Sequence, residues 1–348
     1  MCFFSILTLI CCNSAVPRSV PPSVKHRSLS ARPIGPRLQT IAIIAAYAAT
    51  VAIWGTTWLG IKVSLAGVPP ITGVGLRFVL AGLVLYAGAL ALRVDLRRKA
   101  PPLHLVVVLA LTMFGLNYAL TYLAETHLTS GVVAVLFGTL PFFTFGLAHF
   151  IVGERTTRRV FVGAALALGG VATISFSGNV RTDVVYVLCA LVAAASSGFA
   201  NVYLKRFAAA EPLATLPPAM LLAGAVMTVF GVAFEHVSWS RALGGESVGS
   251  LLYLAVFGSA IAFYLNHWLL QRISSGTMGL SALMIPVLAV AVGAAFGGEH
   301  IGPRDAAGAL LVLVGIWAAL RRPGSAAPIG HRGSTRGLSE PRPYGQLV

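Results

Sequence analysis

The 348-residue chain is strongly apolar: 57% of its residues are apolar, 10% are charged, and its mean hydropathy is +0.85. Soluble domains carry about 25% charged residues, so a water-soluble fold of this composition would lack the polar residues to cover its surface. The net charge of +15 would suggest nucleic-acid binding in a soluble protein. Most lysines and arginines, however, lie in the tails and short loops, where membrane topology places them. We therefore expect a lipid bilayer around the chain and no nucleic-acid partner.

The hydrocarbon core of a bilayer has no water to satisfy peptide groups, so segments that cross it form helices of about 17–25 residues. Charge-poor runs in the sequence predict ten such helices and hence an all-α membrane protein. In chain order the runs are 38–61, 71–92 (interrupted only by Arg77), 100–124, 126–153, 160–180, 184–204, 212–234, 247–271, 273–298 and 306–320.

The distribution of positive charge predicts the orientation. With a cytoplasmic N-terminus, 20 of the 25 lysines and arginines fall in cytoplasmic segments, four fall in outer loops, and Arg77 lies within a span. Because cytoplasmic loops carry the excess of Lys and Arg, we expect a multi-pass protein of the cell (inner) membrane with both termini in the cytoplasm.

The two ends of the chain differ from the apolar region. We expect residues 1–39 to be a disordered tail or the product of a wrongly assigned start codon. Met1–Cys12 is apolar but too short to span, and it lacks the basic start of a signal peptide. Residues 321–348 are rich in Pro, Gly, Ser and Arg, which predicts a disordered cytoplasmic tail.

The apolar region repeats itself. At an offset of 143 residues, and then of 145, residues of the first half align with the same residue type in the second: Gly55 with Gly198, Lys62 with Lys205, Pro69 with Pro212, Ser130 with Ser275, Pro141 with Pro286, Glu154 with Glu299, Gly163 with Gly308 and Gly170 with Gly315. The predicted repeats are 40–178 and 182–320, with five helices each. Since five is odd, the second repeat enters the membrane from the opposite side, an inverted topology that is typical of secondary transporters.

Several motifs resemble those of the drug/metabolite transporter superfamily, EamA type. They are the stretch WGTTW at 54–58, Leu76-Arg77-Phe78 followed by Ala81, and the order Ser-Gly, Pro, Gly-Glu and a glycine-spaced helix in both halves. The resemblance covers about residues 40–320 and implies a ten-helix carrier of amino acids or related metabolites, usually an exporter. The chain departs from the family in its long N-terminal tail, and its second half has no counterpart of Arg77.

Pro141 and Pro286 fall near the middles of the fourth and ninth predicted helices. Proline removes a helical hydrogen bond, and paired Gly or Pro interruptions at membrane depth point to a transport site; a packing kink is the alternative. Arg77 lies at membrane depth, where a charge is costly. It is either a fixed cation for a substrate carboxylate or phosphate, or a structural arginine bonded to carbonyls.

Polar and aromatic residues of five predicted helices form a candidate binding set, although polar side chains also join neighbouring helices. With Arg77 and the two prolines, the substrate-binding candidates are Trp54, Thr57, Trp58, Asn117, Tyr118, Phe137, Ser197, Asn201, Tyr264 and Asn266. Glu154 and Glu299 end the fourth and ninth helices on opposite membrane faces, so they are candidates for gating or for interfacial pairing with nearby arginines.

A membrane-embedded enzyme and a channel are the alternatives to a transporter. A membrane-embedded enzyme acting on a lipid-linked substrate would need a nucleophile with its base or clustered metal ligands, and the sequence has neither HExxH nor GxSxG. A channel would be expected to show a TVGYG filter or a ring of acids, and the sequence shows neither. We therefore predict a transporter of a small molecule, without catalytic residues, metal or cofactor; the inverted repeat favours alternating access but leaves a channel open.

Overall fold

The computed structural model describes residues 36–128, 130–175, 184–296 and 302–320. These residues are helical apart from short connections, and no strand occurs among them, which confirms the all-α class. The predicted tails lie outside the described residues, except that residues 36–39 belong to the first helix.

The helices follow one another through short connections, and two of them are interrupted. In chain order they are α1 (Pro36–Gly67), α2 (Pro70–Ala91), α3 (Leu103–Glu125), α4 (Ser130–Phe137 and Leu140–Val152), α5 (Arg158–Ser175), α6 (Val184–Arg206), α7 (Pro212–Phe234), α8 (Gly245–Leu270), α9 (Ser275–Gly279 and Ser281–Phe296) and α10 (Pro303–Leu320), with one helical turn, Trp239–Ala242, before α8.

Within the described residues, seven helices are long and apolar enough to cross a bilayer: α1, α2, α3, α4, α6, α7 and α8. The apolar runs of α9 and α10 are shorter, Ser275–Leu288 and Ala306–Leu320, and α5 opens with Arg158 and Arg159. The chain is therefore a multi-pass helical membrane protein, while the number of ten crossings stays a prediction.

Helices α2 and α7 pack closely and run antiparallel. Gly75 and Gly82 of α2 lie against Thr228 and Leu221 of α7, respectively, so the numbering rises in one helix as it falls in the other. Small residues let backbones approach closely where lipid supplies no hydrophobic driving force between helices. A larger side chain at either glycine would separate the pair.

Helices α5 and α10 form a second antiparallel pair with reciprocal contacts. Gly163 lies against Gly315, and a Cβ atom on Gly170 would lie 2.6 Å from the carbonyl oxygen of Gly308. In the repeat alignment Gly163 matches Gly308 and Gly170 matches Gly315. Gly163 therefore contacts the residue that matches Gly170, and Gly170 contacts the residue that matches Gly163. A two-fold axis produces contacts of this kind.

The third helix of each half carries a π-helical segment at the same place. These segments are Ala110–Leu116 in α3 and Leu254–Ile261 in α8, and each is followed by a nine-residue α-segment, Asn117–Glu125 or Ala262–Leu270. A π-segment shifts the register of the side chains beyond it, and such segments are frequent at functional sites. The matching positions of the two π-segments agree with the sequence repeat. They also indicate α3 and α8 as helices that could contribute to a functional site.

Candidate functional site

A cavity lies between helices α1, α3, α4, α6, α8 and α9, and its empty volume of about 720 Å³ includes open space at its mouth. The 17 residues that line it are Trp54, Thr57, Trp58, Ile61, Asn117, Tyr118, Thr121, Phe137, Leu140, Ser197, Asn201, Phe263, Asn266, Met278, Ser281, Ala282 and Ile285.

Three asparagines supply the main polar groups of this lining. Asn266 Nδ2 donates to Asn201 Oδ1 at 3.0 Å, and Asn117 Nδ2 donates to the Met113 carbonyl at 3.2 Å. The side-chain oxygens of Asn117 and Asn266 are buried and have no hydrogen-bond partner among the described residues. A buried polar atom without a partner costs free energy, so a bound polar group would recover stability here.

Aromatic rings form much of the remaining wall. Trp54 meets Phe263 edge to face with centroids 5.7 Å apart, and Trp58 meets Phe137 at 6.5 Å. The buried Trp54 Nε1 has no hydrogen-bond partner in the part of the chain that the structure describes, so the wall also offers a donor. None of the residues that line the described cavity is charged, which favours a neutral or zwitterionic substrate over one with a net charge.

The two prolines that match in the repeat lie beside the cavity rather than in its lining. Pro141 has no N–H to donate to the Phe137 carbonyl, and α4 breaks at Gly138–Thr139, between the lining residues Phe137 and Leu140. Pro286 lies within α9, directly after the lining residue Ile285. The prolines therefore shape the helices that line the cavity without belonging to its wall.

Arg77 is fully buried and bonded to neighbouring helices, outside the cavity lining. Its Nε donates to Ser259 Oγ at 2.7 Å, its Nη2 to the Gly258 carbonyl at 3.2 Å, and its Nη1 to Tyr122 Oη at 3.3 Å. The guanidinium also lies 4.7 Å from the ring centroid of Tyr118. Tyr118 lines the cavity, so Arg77 supports a cavity wall from behind.

Glu154 joins the end of α4 to the start of α9. Its carboxylate accepts hydrogen bonds from Ser275 Oγ at 2.6 Å and from the Ser275 amide at 3.1 Å, as an anion at a helix N-terminus should. Gly153 has φ +71°, a conformation that glycine adopts at little cost, and it ends α4 so that Glu154 turns toward α9. The other gating candidate, Glu299, lies outside the described residues.

The cavity brings together nine of the thirteen predicted binding residues. Four do not line it: Arg77, Pro141, Pro286 and Tyr264, which is buried in α8. That the nine bind substrate stays a prediction. The lining residues that sequence reasoning missed are Ile61, Thr121, Leu140, Phe263, Met278, Ser281, Ala282 and Ile285, which are mostly apolar and carry no signal distinct from membrane packing.

A multi-pass helical membrane protein with a central, mostly apolar cavity and a few polar groups has the features of a membrane transporter of small molecules. The EamA-like transporter family model matches the chain twice, at residues 40–176 and 184–321. The chain therefore belongs to the EamA-like transporter family, and the resemblance found in the sequence motifs is confirmed.

Curated relatives carry transporter names. "Uncharacterized inner membrane transporter YedA" of Escherichia coli (strain K12) is 29% identical over 76% of this chain and 85% of that protein. "Uncharacterized transporter YoaV" of Bacillus subtilis (strain 168) is 30% identical over 76% of this chain and 92% of its own. A "Probable amino-acid metabolite efflux pump" of Salmonella typhimurium (strain LT2) is 27% identical over 77% of this chain and 91% of its own.

A solved structure titled "Crystal structure of protein" matches with a TM-score of 0.71 and 21% identity, covering 80% of this chain and 96% of that one. At this identity the likeness shows the fold alone. The overall arrangement of helices is thus one that an experimental structure also contains.

Proposed function

We propose that this chain is a secondary transporter that exports a small metabolite, an amino acid or a related compound, across the cell membrane by alternating access. The observation that carries the proposal is the cavity between six helices, in which buried polar atoms of Asn117, Asn266 and Trp54 lack partners among the described residues. A mixed lining of amides, hydroxyls and aromatic rings suits a molecule with a polar head and an apolar side chain.

The substrate class follows from this lining and from one group of relatives. Amides and an indole N–H can bind the carboxylate and amine of a zwitterion without a fixed charge in the protein. The relative named a probable amino-acid metabolite efflux pump supports the same class and the direction of transport.

Two inverted repeats of five helices, 40–178 and 182–320, give the proposed mechanism. The reciprocal antiparallel contacts of α5 with α10, and the matching π-segments of α3 and α8, support a pseudo-two-fold axis between the halves. Related halves can rock between mirror-related states around a fixed site. On this proposal the chain crosses the membrane ten times.

The contact of Glu154 with Ser275 is the proposed gate on one face of the membrane. In the repeat alignment Ser130 matches Ser275 and Glu299 matches Glu154. On this proposal the Glu154–Ser275 contact breaks when the opposite face of the protein closes.

An untargeted comparison of metabolites inside and outside cells tests the function. Cells with the wild-type protein should show one or a few amino-acid-like compounds depleted inside and enriched outside, relative to cells without it. Asn266→Leu should reduce that difference strongly, whereas Ser240→Leu, which also replaces a polar side chain with an apolar one but at an exposed position, should preserve it. An unchanged pattern with Asn266→Leu in a correctly inserted protein would contradict the assignment of the cavity.

A further inference from the structure

Helices α3 and α8 end in turns of the same geometry. The α3 turn is 126–128 and the α8 turn is 271–273, and both directly follow the nine-residue segments described above. In both turns the amide of the third residue donates, at 2.8 Å, to the carbonyl oxygen four positions earlier. The two turns are therefore equivalent positions at opposite ends of the proposed inverted repeat.

Lys205 caps the α8 turn. Its Nζ donates to the Leu270 carbonyl at 2.5 Å and to the Ile273 carbonyl at 2.8 Å. A helix C-terminus carries partial negative charge and unpaired carbonyls, so an ammonium group stabilises it. This contact ties α6 to the end of α8, at the end of the protein where the Glu154–Ser275 contact forms the gate proposed above.

Lys62 holds the position of Lys205 in the first repeat but makes no such contact. It is exposed, and it has no hydrogen bond or ion pair with any residue in the part of the chain that the structure describes. The acceptors that match Leu270 and Ile273 are the carbonyls of Glu125 and Leu128 in and beside the α3 turn.

A second observation at the α3 turn points to a missing cation. Glu125 Oε1 is buried and has no hydrogen-bond partner within the described ranges, although a buried carboxylate oxygen is costly unless it is paired. Leu270 occupies the equivalent position in the second repeat, so Lys205 meets only carbonyls there. A lysine at the α3 turn would meet two carbonyls and a carboxylate.

We infer that Lys62 binds the α3 turn in the opposite state of the transport cycle, with its ammonium bonded to the Glu125 and Leu128 carbonyls and to the Glu125 carboxylate. The inference rests on the proposed alternating access. Lys205 stabilises closure of the end of the protein at which it caps α8. Lys62 stabilises closure of the other end, after the Lys205 contact has broken.

A single cysteine in the cavity measures which end is open. Ser197→Cys is placed in a background in which the four native cysteines are replaced by alanine, and a membrane-impermeant maleimide is added to right-side-out or inside-out vesicles. Lys62→Met removes the contact that closes the Lys62 end. The ratio of labelling rates, Lys62 face over Lys205 face, should therefore rise about tenfold or more, the effect of one charge-assisted hydrogen bond. Lys205→Met should lower the same ratio by a similar factor.

Matched variants separate capping from a general change of surface charge. Arg206→Met removes an exposed cation next to Lys205 and should leave the ratio unchanged. Lys62→Arg keeps a cation and should restore most of the wild-type ratio. An unchanged ratio in Lys62→Met would overturn the inference, provided the cysteine in the otherwise wild-type protein is labelled from both faces.

The same labelling separates this inference from the proposed function. If the cavity cysteine without any lysine change reacts from one face only, alternating access itself is wrong. A Lys62→Cys, Leu128→Cys pair supplies a second test, with a short thiol-specific cross-linker, of whether the two positions approach each other. Cross-linking should increase when Lys205 is also replaced by methionine, and its absence under those conditions would overturn the inference.

Discussion

Arg77→Met should lower the free energy of unfolding while leaving the substrate affinity nearly unchanged. The guanidinium makes three hydrogen bonds, to Ser259, Gly258 and Tyr122, and hydrogen bonds to a charged group contribute about 1.5–3 kcal/mol each. Removing the charge also removes its dehydration cost of several kcal/mol. The net loss is therefore on the order of 3 kcal/mol, or roughly a 100-fold change in the folding equilibrium.

The assay is a pair of measurements on the same purified variants: the apparent melting temperature in detergent, and the KM for the metabolite that the export comparison identifies. Arg77→Lys should recover only part of the stability, because an ammonium group cannot reproduce the planar donor set of a guanidinium. Arg97→Met, at an exposed site beyond α2, is the control. A normal melting temperature with a KM raised tenfold or more would show that Arg77 binds substrate and would refute this reasoning.

The remaining predictions concern the cavity, the helix pairs and the ends of the chain. Asn266→Leu should reduce kcat/KM about 5- to 150-fold, the worth of one buried polar contact; an unchanged value would remove Asn266 from the site. Gly170→Leu should lower the melting temperature, because overpacking costs about 1–3 kcal/mol, whereas Gly169→Leu, whose added Cβ would meet only Leu311 at 3.9 Å, should not; equal effects would contradict the packing argument. A chain shortened to residues 36–320 should still transport in vesicles, since all the lining residues lie within it, and loss of transport after correct insertion would contradict this. With a cytoplasmic N-terminus, a cytoplasm-active reporter at the C-terminus should be active, and activity of an export-only reporter would mean an odd number of crossings.

The sequence predicted the helices well because the absence of charge is the dominant signal in lipid. Runs without Asp, Glu, Lys or Arg matched the long helices, for example 184–204 against α6 and 212–234 against α7. The number of crossings could not be settled in the same way. Helix α5 begins with two arginines, and the apolar run of α9 is short, so length and composition alone do not place them across the bilayer.

The sequence indicated candidate binding residues where rare polar residues stood out against an apolar background. Asn117, Asn201 and Asn266 lie on different helices, and the structure brings all three to one cavity. Arg77 stood out for the same reason, but its partners could not be foreseen. They include a carbonyl and a hydroxyl of the π-segment in α8, more than 180 positions away, and nothing in the local sequence specifies such a contact.

The sequence could not predict that matching residues of the two repeats have different surroundings. Lys62 and Lys205 occupy equivalent positions in the repeat alignment, yet Lys205 caps a helix and Lys62 is exposed. On the proposed alternating access, the different surroundings of the two lysines reflect the conformation of the protein, which local sequence does not specify. The π-segments of α3 and α8 could not be predicted from the sequence either, because no particular residue type marks them.

Counterflow in proteoliposomes tests the central claim most directly. Vesicles loaded with a high concentration of the identified metabolite, unlabelled, are diluted into a low concentration of the labelled compound. A carrier that exposes one cavity alternately to each face should accumulate label inside the vesicles transiently, above its outside concentration, and Asn266→Leu should make this overshoot smaller and slower. Entry that only equilibrates, in proportion to concentration and without an overshoot, would show a channel and would contradict the account.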